Sequence, residues 1–194
     1  MTTPMTVADF IASLQREAGD KGRAPAPVDR WNPPDCGNSF IEILRDGTWR
    51  HEGVRMTRES LVRLLASILR KDEDAITWLV TPVEKVRVTV EDAPFLAVRA
   101  DREGAGRDQT IAFTTNMGDV AVLGQDHPLR VELNDGEPRP YVLVRGRLEA
   151  RVLRAPFYEL VDWAQEEATP EGPRLGVWSG GVFFPLGPAG AHLQ

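Results

Sequence analysis

The chain has 194 residues, 42% hydrophobic and 27% charged, with 29 acidic against 23 basic side chains and a net charge of −6. A chain this long buries roughly 70% of its unfolded surface without staples, and its acidity excludes generic coating of DNA or RNA, which runs on basic surfaces and counterion release. Cys36 is the single cysteine, so no intrachain disulfide forms, and no uninterrupted apolar run exceeds four residues, too short for a membrane-spanning helix.

TVADFIASLQREAG, Thr6 to Gly19, places Val7, Phe10, Ile11 and Leu14 on one helical face. Asp9, Arg16 and Glu17 interrupt any signal core there, and a cytoplasmic chain is expected. The Pro- and Gly-rich stretch that follows reads as a surface linker, with Trp31 pinning it down. Residues 1–29 are thus expected to be helix and linker, 30–84 a first α+β subdomain, and 85–188 a β-rich second subdomain with one helix. In the first, Asp46-Gly47 between strand-like runs predicts a type I′ hairpin, with both central residues at positive φ. Thr57 is expected to cap a helix over TRESLVRLLASILRKD, whose Leu61, Leu64, Leu65, Ile68 and Leu69 form one stripe. ITWLVTP returns as a strand and meets Pro82.

In the second subdomain VRVTVED, FLAVRADRE, QTIAFTTN, VAVL and LRVEL are successive strands, and NDGEPRP makes a turn. PYVLVRGRLEARVLR reads as one long strand with a bulge at Gly146. APFYELVDWAQEEA predicts a helix with Pro156 in its first turn and Phe157, Leu160, Val161 and Ala164 inward; WSGGVFFPLG closes the sheet. Each half runs strand pair, amphipathic helix, strand, which suggests a structural duplication and a mostly antiparallel α+β fold.

The alternation of Val86, Val88 and Val90 extends to Glu84 and Asp92 at its two ends. Period-two geometry points both carboxylates to one side of the sheet, but eight residues of strand hold them roughly 26 Å apart. A paired-carboxylate mechanism wants about 5 to 10 Å, so they are no catalytic dyad. A lone buried carboxylate would cost several kcal/mol, so each needs a partner. Lys85 and Arg145 are the candidates. On the long strand Tyr141, Arg145, Arg147 and Arg151 share one face, and arginines beside a tyrosine can grip a phosphate and stack on a base. The plainer reading is a solvated sheet face. Asn116 to Asp119 reads as a tight turn whose side chains could line a groove. His51, His127 and His192 lack metal-ligand spacing; neither a G-x-S-x-G elbow, a dinucleotide fingerprint nor a phosphate loop occurs; Cys36 reads as a small packed residue. No metal, cofactor or catalytic group is expected.

TPVEK, VEDAPF, TN-x-GD, RPYV-x-VRG-x-LEA-x-x-x-R and WSGGVFF, with Cys36-Gly37 and DG-x-W at Asp46 to Trp49, resemble the uncharacterised bacterial family catalogued as domain of unknown function 1285, over Trp31 to Gly187 in order. The resemblance implies a two-part α+β protein with related motifs in its halves, the second like a pleckstrin-homology domain: a bent antiparallel sheet closed by a helix. It also implies a ligand, nucleotide-like or nucleic-acid-derived, held at the interface of the two parts in signalling, and no established activity. The matching positions are Pro82, Glu84, Lys85, Asp92, Pro94, Phe95, Asn116, Tyr141, Arg145 and Ser179. The first expectation for function is therefore a ligand-binding or regulatory protein taking a small anionic, nucleotide-like molecule at Glu84, Lys85, Asp92, Asn116, Tyr141, Arg145 and Ser179. The alternatives are a protein–protein interaction module and, last, an enzyme with Glu84 or Asp92 as lone general base. No membrane partner is expected.

Overall fold

The computed structural model of the chain describes residues 25–190; the helix expected over Thr6 to Gly19 lies outside them. The chain divides into two compact units, one running to Asp92 and taking in Gly146–Leu148, the other made of Ala93–Arg145 and the chain from Glu149 onward. It is an α+β protein built mostly of strands.

The first unit contains β1 (Asp35–Ile43), β2 (Trp49–His51), β3 (Val54–Arg55), α1 (Glu59–Ser67), β4 (Leu69–Lys71), β5 (Thr77–Val80) and β6 (Lys85–Val90), in one sheet of order β3-β2-β1-β6-β5-β4. β1 and β6 are parallel and the other neighbours antiparallel. β6 pairs on both sides, with Val86 opposite Leu79 and Val88 opposite Thr77, so it is a central strand of this sheet. The boundary between the units therefore falls after Asp92 and not at Glu84 as the sequence suggested. The core holds Ile41, Ile43, Trp49, Leu64, Leu65, Leu79 and Val88, each large side chain contributing roughly 1.5–3 kcal/mol by leaving water.

Local chemistry differs from expectation at three points. Leu44 N–H donates to Thr48 O at 2.9 Å and Gly47 N–H to Leu44 O at 3.0 Å, with only Gly47 (φ 83°) at positive φ. Arg45-Asp46-Gly47 is thus a three-residue connection, a turn ending in a left-handed glycine. The two-residue type I′ signature falls one hairpin later, at Glu52 (φ 50°) and Gly53 (φ 79°) between His51 and Val54. Thr57 does not cap α1: the residue before the helix is Arg58, and no side chain caps it. The helix also stops at Ser67, because Leu69, Arg70 and Lys71 pair with Leu79, Trp78 and Thr77; tertiary pairing overrides the local helical period.

The second unit contains β7 (Phe95–Glu103), β8 (Thr110–Thr115), β9 (Val120–Val122), β10 (Leu129–Asn134), β11 (Glu137–Arg145) and β12 (Leu148–Val152), in the order β10-β11-β12-β7-β8-β9. β12 and β7 are parallel. β9 touches β11 although three strands separate them in the sheet, so the sheet curls into a half-barrel. α2 (Arg154–Trp163) follows, then a small antiparallel sheet of β13 (Gln165–Thr169), β14 (Gly172–Ser179) and β15 (Val182–Pro188). Phe95, Ile111, Phe113, Val142, Ala150, Leu160 and Val177 are buried. The expected long strand is two neighbouring strands, β11 and β12, and Gly146 (φ 52°) is the reversal between them, not a bulge. The expected helix ends at Trp163, since Ala164 is extended (ψ 148°) and Gln165 to Thr169 pair with Gly176 to Gly172.

The two six-stranded sheets share one strand plan. Three strands lead from the centre to one edge, three return from the opposite edge, and the first and last lie parallel at the centre. Each sheet is accordingly mixed, a central parallel pair interrupting the mostly antiparallel pairing that the sequence suggested. α1 lies between the third and fourth strands of its unit, and α2 after the sixth of its own. No described helix is long and apolar enough to cross a membrane.

Candidate functional site

The predicted residues fall in both units. In the first, Thr81-Pro82-Val83-Glu84 is a tight turn into β6: Thr81 N–H and hydroxyl donate to Glu84 O at 2.9 and 3.1 Å, and Glu84 N–H donates to Thr81 Oγ1 at 3.1 Å. Glu84 is half-buried, and its buried Oε1 accepts no hydrogen bond from the described residues. Asp92 is half-buried just past the end of β6. Lys85 Nζ lies 3.1 Å from Asp72 Oδ2 and 4.3 Å above the Trp78 ring. Asp72 also takes Arg70 Nε at 2.6 Å, and Arg70 Nη1 donates to the carbonyls of Val28 (2.9 Å) and Trp31 (2.7 Å). Arg70, Asp72 and Lys85 thus fasten the segment around Val28 to Trp31 onto the sheet. Burial raises the Asp72 carboxyl, but the hydrogen bonds from Arg70 and Lys85 outweigh it and hold it below its ordinary value of 3.8. The sequence hid this triad because Arg70 and Asp72 read as the end of a helix; in β4 and the turn after it they reach Lys85.

In the second unit Arg145 ends β11, and its Nη1 is 2.6 Å from Asp119 Oδ1, with both side chains about one-fifth exposed (19% and 21%). Its guanidinium lies 4.9 Å from the centre of the buried Phe95 ring. Burial penalises the Arg145 charge and lowers its proton affinity, opposed by the pull of Asp119. The turn Thr115 to Asp119 aims that carboxylate: Thr115 Oγ1 accepts the N–H groups of Met117 (3.2 Å) and Asp119 (3.1 Å) and itself meets Asp119 Oδ2 at 3.3 Å. Asn116 sits in the same turn, its N–H donating to Leu96 O (2.8 Å) and its Oδ1 accepting Leu96 N–H (3.0 Å). Asn116 and Arg145 therefore converge on Phe95-Leu96 at the start of β7. The sequence placed Asp119, which orients the arginine, in the TN-x-GD turn but did not match it to Arg145.

Tyr141 and Ser179 have other surroundings. Tyr141 is 4% exposed, and Arg130 lies 4.4 Å above its ring. Arg130 is gripped by both oxygens of Glu149 (2.6 and 2.7 Å) and by Glu132, which raise its proton affinity. Ser179 is fully buried, accepts Ile111 N–H at 2.9 Å and donates to Leu123 O at 2.7 Å. With Gln109, whose amide donates to Trp178 O at 2.8 Å, it ties the small sheet to the half-barrel. Among the described residues no group of three His, Cys, Asp or Glu is placed to hold a metal ion.

Residues 26–93 match the family model described as domain of unknown function (DUF1285), N-terminal domain, and residues 94–186 the model described as protein of unknown function (DUF1285), C-terminal domain. The chain is similar to the crystal structure of a DUF1285 family protein from Silicibacter pomeroyi DSS-3, at 44% identity over 92% of this chain and 95% of that one, with a TM-score of 0.82. A DUF1285 family protein from Shewanella baltica OS155 is 31% identical over 64% of this chain and 91% of its own, with a TM-score of 0.51. No curated protein matches the chain. Both halves match in register with the two units, and the chain belongs to the DUF1285 family.

Proposed function

We propose that this protein is a ligand-binding regulatory protein that holds a small anionic, nucleotide-like molecule at Arg145. One observation carries the reading. The guanidinium is locked in direction by Asp119, backed by the Phe95 ring and partly withdrawn from water. A cation kept in place against a desolvation penalty gains more from an incoming anion than a solvated arginine would, and its planar fork suits a phosphate. Asn116 fixes the neighbouring backbone, so the site is rigid before a ligand arrives. The half-barrel and the helix after β12 support reading the second unit as pleckstrin-homology-like, while the parallel β7–β12 pair and the three later strands depart from that plan. The test is a thermal-shift screen of nucleotides and dinucleotide messengers. Ligand at a hundred times its Kd adds about 2.7 kcal/mol, a rise of roughly 5 to 10 °C, and Arg145→Lys should lose most of it. A flat response to every compound would sink the proposal.

A second reading, a protein-interaction module, has its own observation. A groove of about 620 Å3 is lined by Leu129, Val131 and Leu133 of the edge strand β10 and by Phe183, Pro185 and Leu186 of β15. Leu133 is 72% exposed there.

A further inference from the structure

Phe40 combines two features that rarely coincide. It is an exposed aromatic (60%) and its backbone is left-handed, at φ 56°. A bulky residue in that region is strained by roughly 1–2 kcal/mol and persists only where its surroundings over-determine it. The surroundings are visible. The β1–β6 register breaks on both sides of Asn38, Asn38 Oδ1 accepts Phe40 N–H at 2.7 Å, and Ser39 Oγ donates across to Arg87 O at 2.6 Å. Glu52 N–H fixes the Phe40 carbonyl at 2.9 Å.

Cations flank this bulge. Asn38 pairs with Arg87, Glu42 pairs with Thr89 and Arg50, and Arg50 pairs directly with Arg55. Paired residues share a sheet face, and period two puts Arg87 on the face of Thr89, so Arg87, Arg50 and Arg55 project to one side. All three are exposed and none makes an ion pair among the described residues, although Arg87 lies 5.4 Å from the Trp78 ring and Glu42, opposite Arg50, shares their face. Two arginines directly opposite each other on adjacent strands repel. Composition does not force this clustering: in the described chain the first unit has eleven basic and twelve acidic side chains, the second nine and fourteen. From Arg55 to Arg87 spans three strand spacings, roughly 14 Å.

We propose that this face of the first unit is a platform for single-stranded nucleic acid, with a base stacked on Phe40 and phosphates at Arg50, Arg55 and Arg87. Stacking on an aromatic with cations beside it is the general chemistry of sequence-tolerant single-strand binding. The net charge of −6 still opposes coating of the whole molecule, so the interaction is local and weak, with a Kd on the order of 10–100 µM at low salt.

The experiment is fluorescence anisotropy of a labelled, unstructured twelve-nucleotide strand titrated with the full-length protein over a salt series. Competitors are a duplex of the same length, inorganic polyphosphate and poly-glutamate. Three phosphate contacts predict a log Kd versus log salt slope of about 2, falling to about 0.7 in Arg50→Ala/Arg55→Ala. Phe40→Asn, which suits a left-handed backbone and so keeps the fold, should weaken binding about tenfold with the slope unchanged. Absence of binding at millimolar protein, or variants that bind like the parent, would overturn the proposal. So would equal affinity for duplex or polyphosphate, while preference for poly-glutamate would assign the face to an acidic protein partner instead.

Discussion

Asp72 accepts from two cations, so its carboxylate is worth more folded than unfolded. Because its folded pKa is depressed, that stability is fully present above the ordinary carboxylate value and fades as pH drops through the lowered one. Asp72→Asn should cost about 2 kcal/mol at pH 7 and lower Tm by roughly 4–8 °C, and its melting curve should converge with that of the parent in acid well below the ordinary carboxylate value of 3.8. An offset that persists unchanged to that pH would mean the carboxylate's charge is not what matters. Ser179 makes the complementary case. Ser179→Ala leaves the Ile111 N–H and the Leu123 carbonyl without their buried partner and should cost about 2–3 kcal/mol by urea denaturation. From sequence, Glu84, Lys85 and Asp92 could be placed at the ends of a strand, because alternation is a local property. Asp72 and Asp119 could not be matched to Lys85 and Arg145, because those pairings depend on which turns bring distant strands together. Phe40 gave no signal at all, since positive φ at a phenylalanine is imposed by the bulge around it.

At the scale of elements, hydrophobic period was a good guide to what is buried and a poor guide to where a helix ends. Ile68 and Leu69 continue the stripe of α1 and are fully buried, yet the chain has left the helix by then. Gln165 to Thr169 prefer a helix locally and form a strand because β14 offers a partner. Gly146 shows the limit of parity: inward residues alternate correctly on both sides of it, which is why a hairpin looked like one strand. Gly176 carries an element-scale prediction. A Cβ there would lie 2.4 Å from Phe184 O, 2.6 Å from Phe183 Cζ and 2.9 Å from Pro185 Cα. Gly176→Ala must therefore displace backbone of β15 and should cost about 1–3 kcal/mol. Hydrogen exchange should accelerate across Val182–Pro188 and leave β5 and β6 unchanged; uniform acceleration through the chain would contradict the assignment.

For the whole molecule, the sequence conveyed an α+β chain in two parts but misplaced their boundary, since β6 is apolar enough for either sheet and its parallel pairing with β1 leaves no local trace. The common strand plan supports a duplication that the two halves no longer display residue by residue. The functional account rests on the second unit, where Arg145, Asp119 and Phe95 form one fixed group. The most direct test is a nitrogen-15 NMR titration of the protein with the nucleotide that ranks first by thermal shift. The account predicts saturable, dose-dependent shifts centred on Arg145 and on Thr115 to Asp119, abolished by Arg145→Lys, whose free spectrum otherwise overlays the parent's. Shifts confined to residues remote from Arg145, or unchanged in that variant, would contradict it.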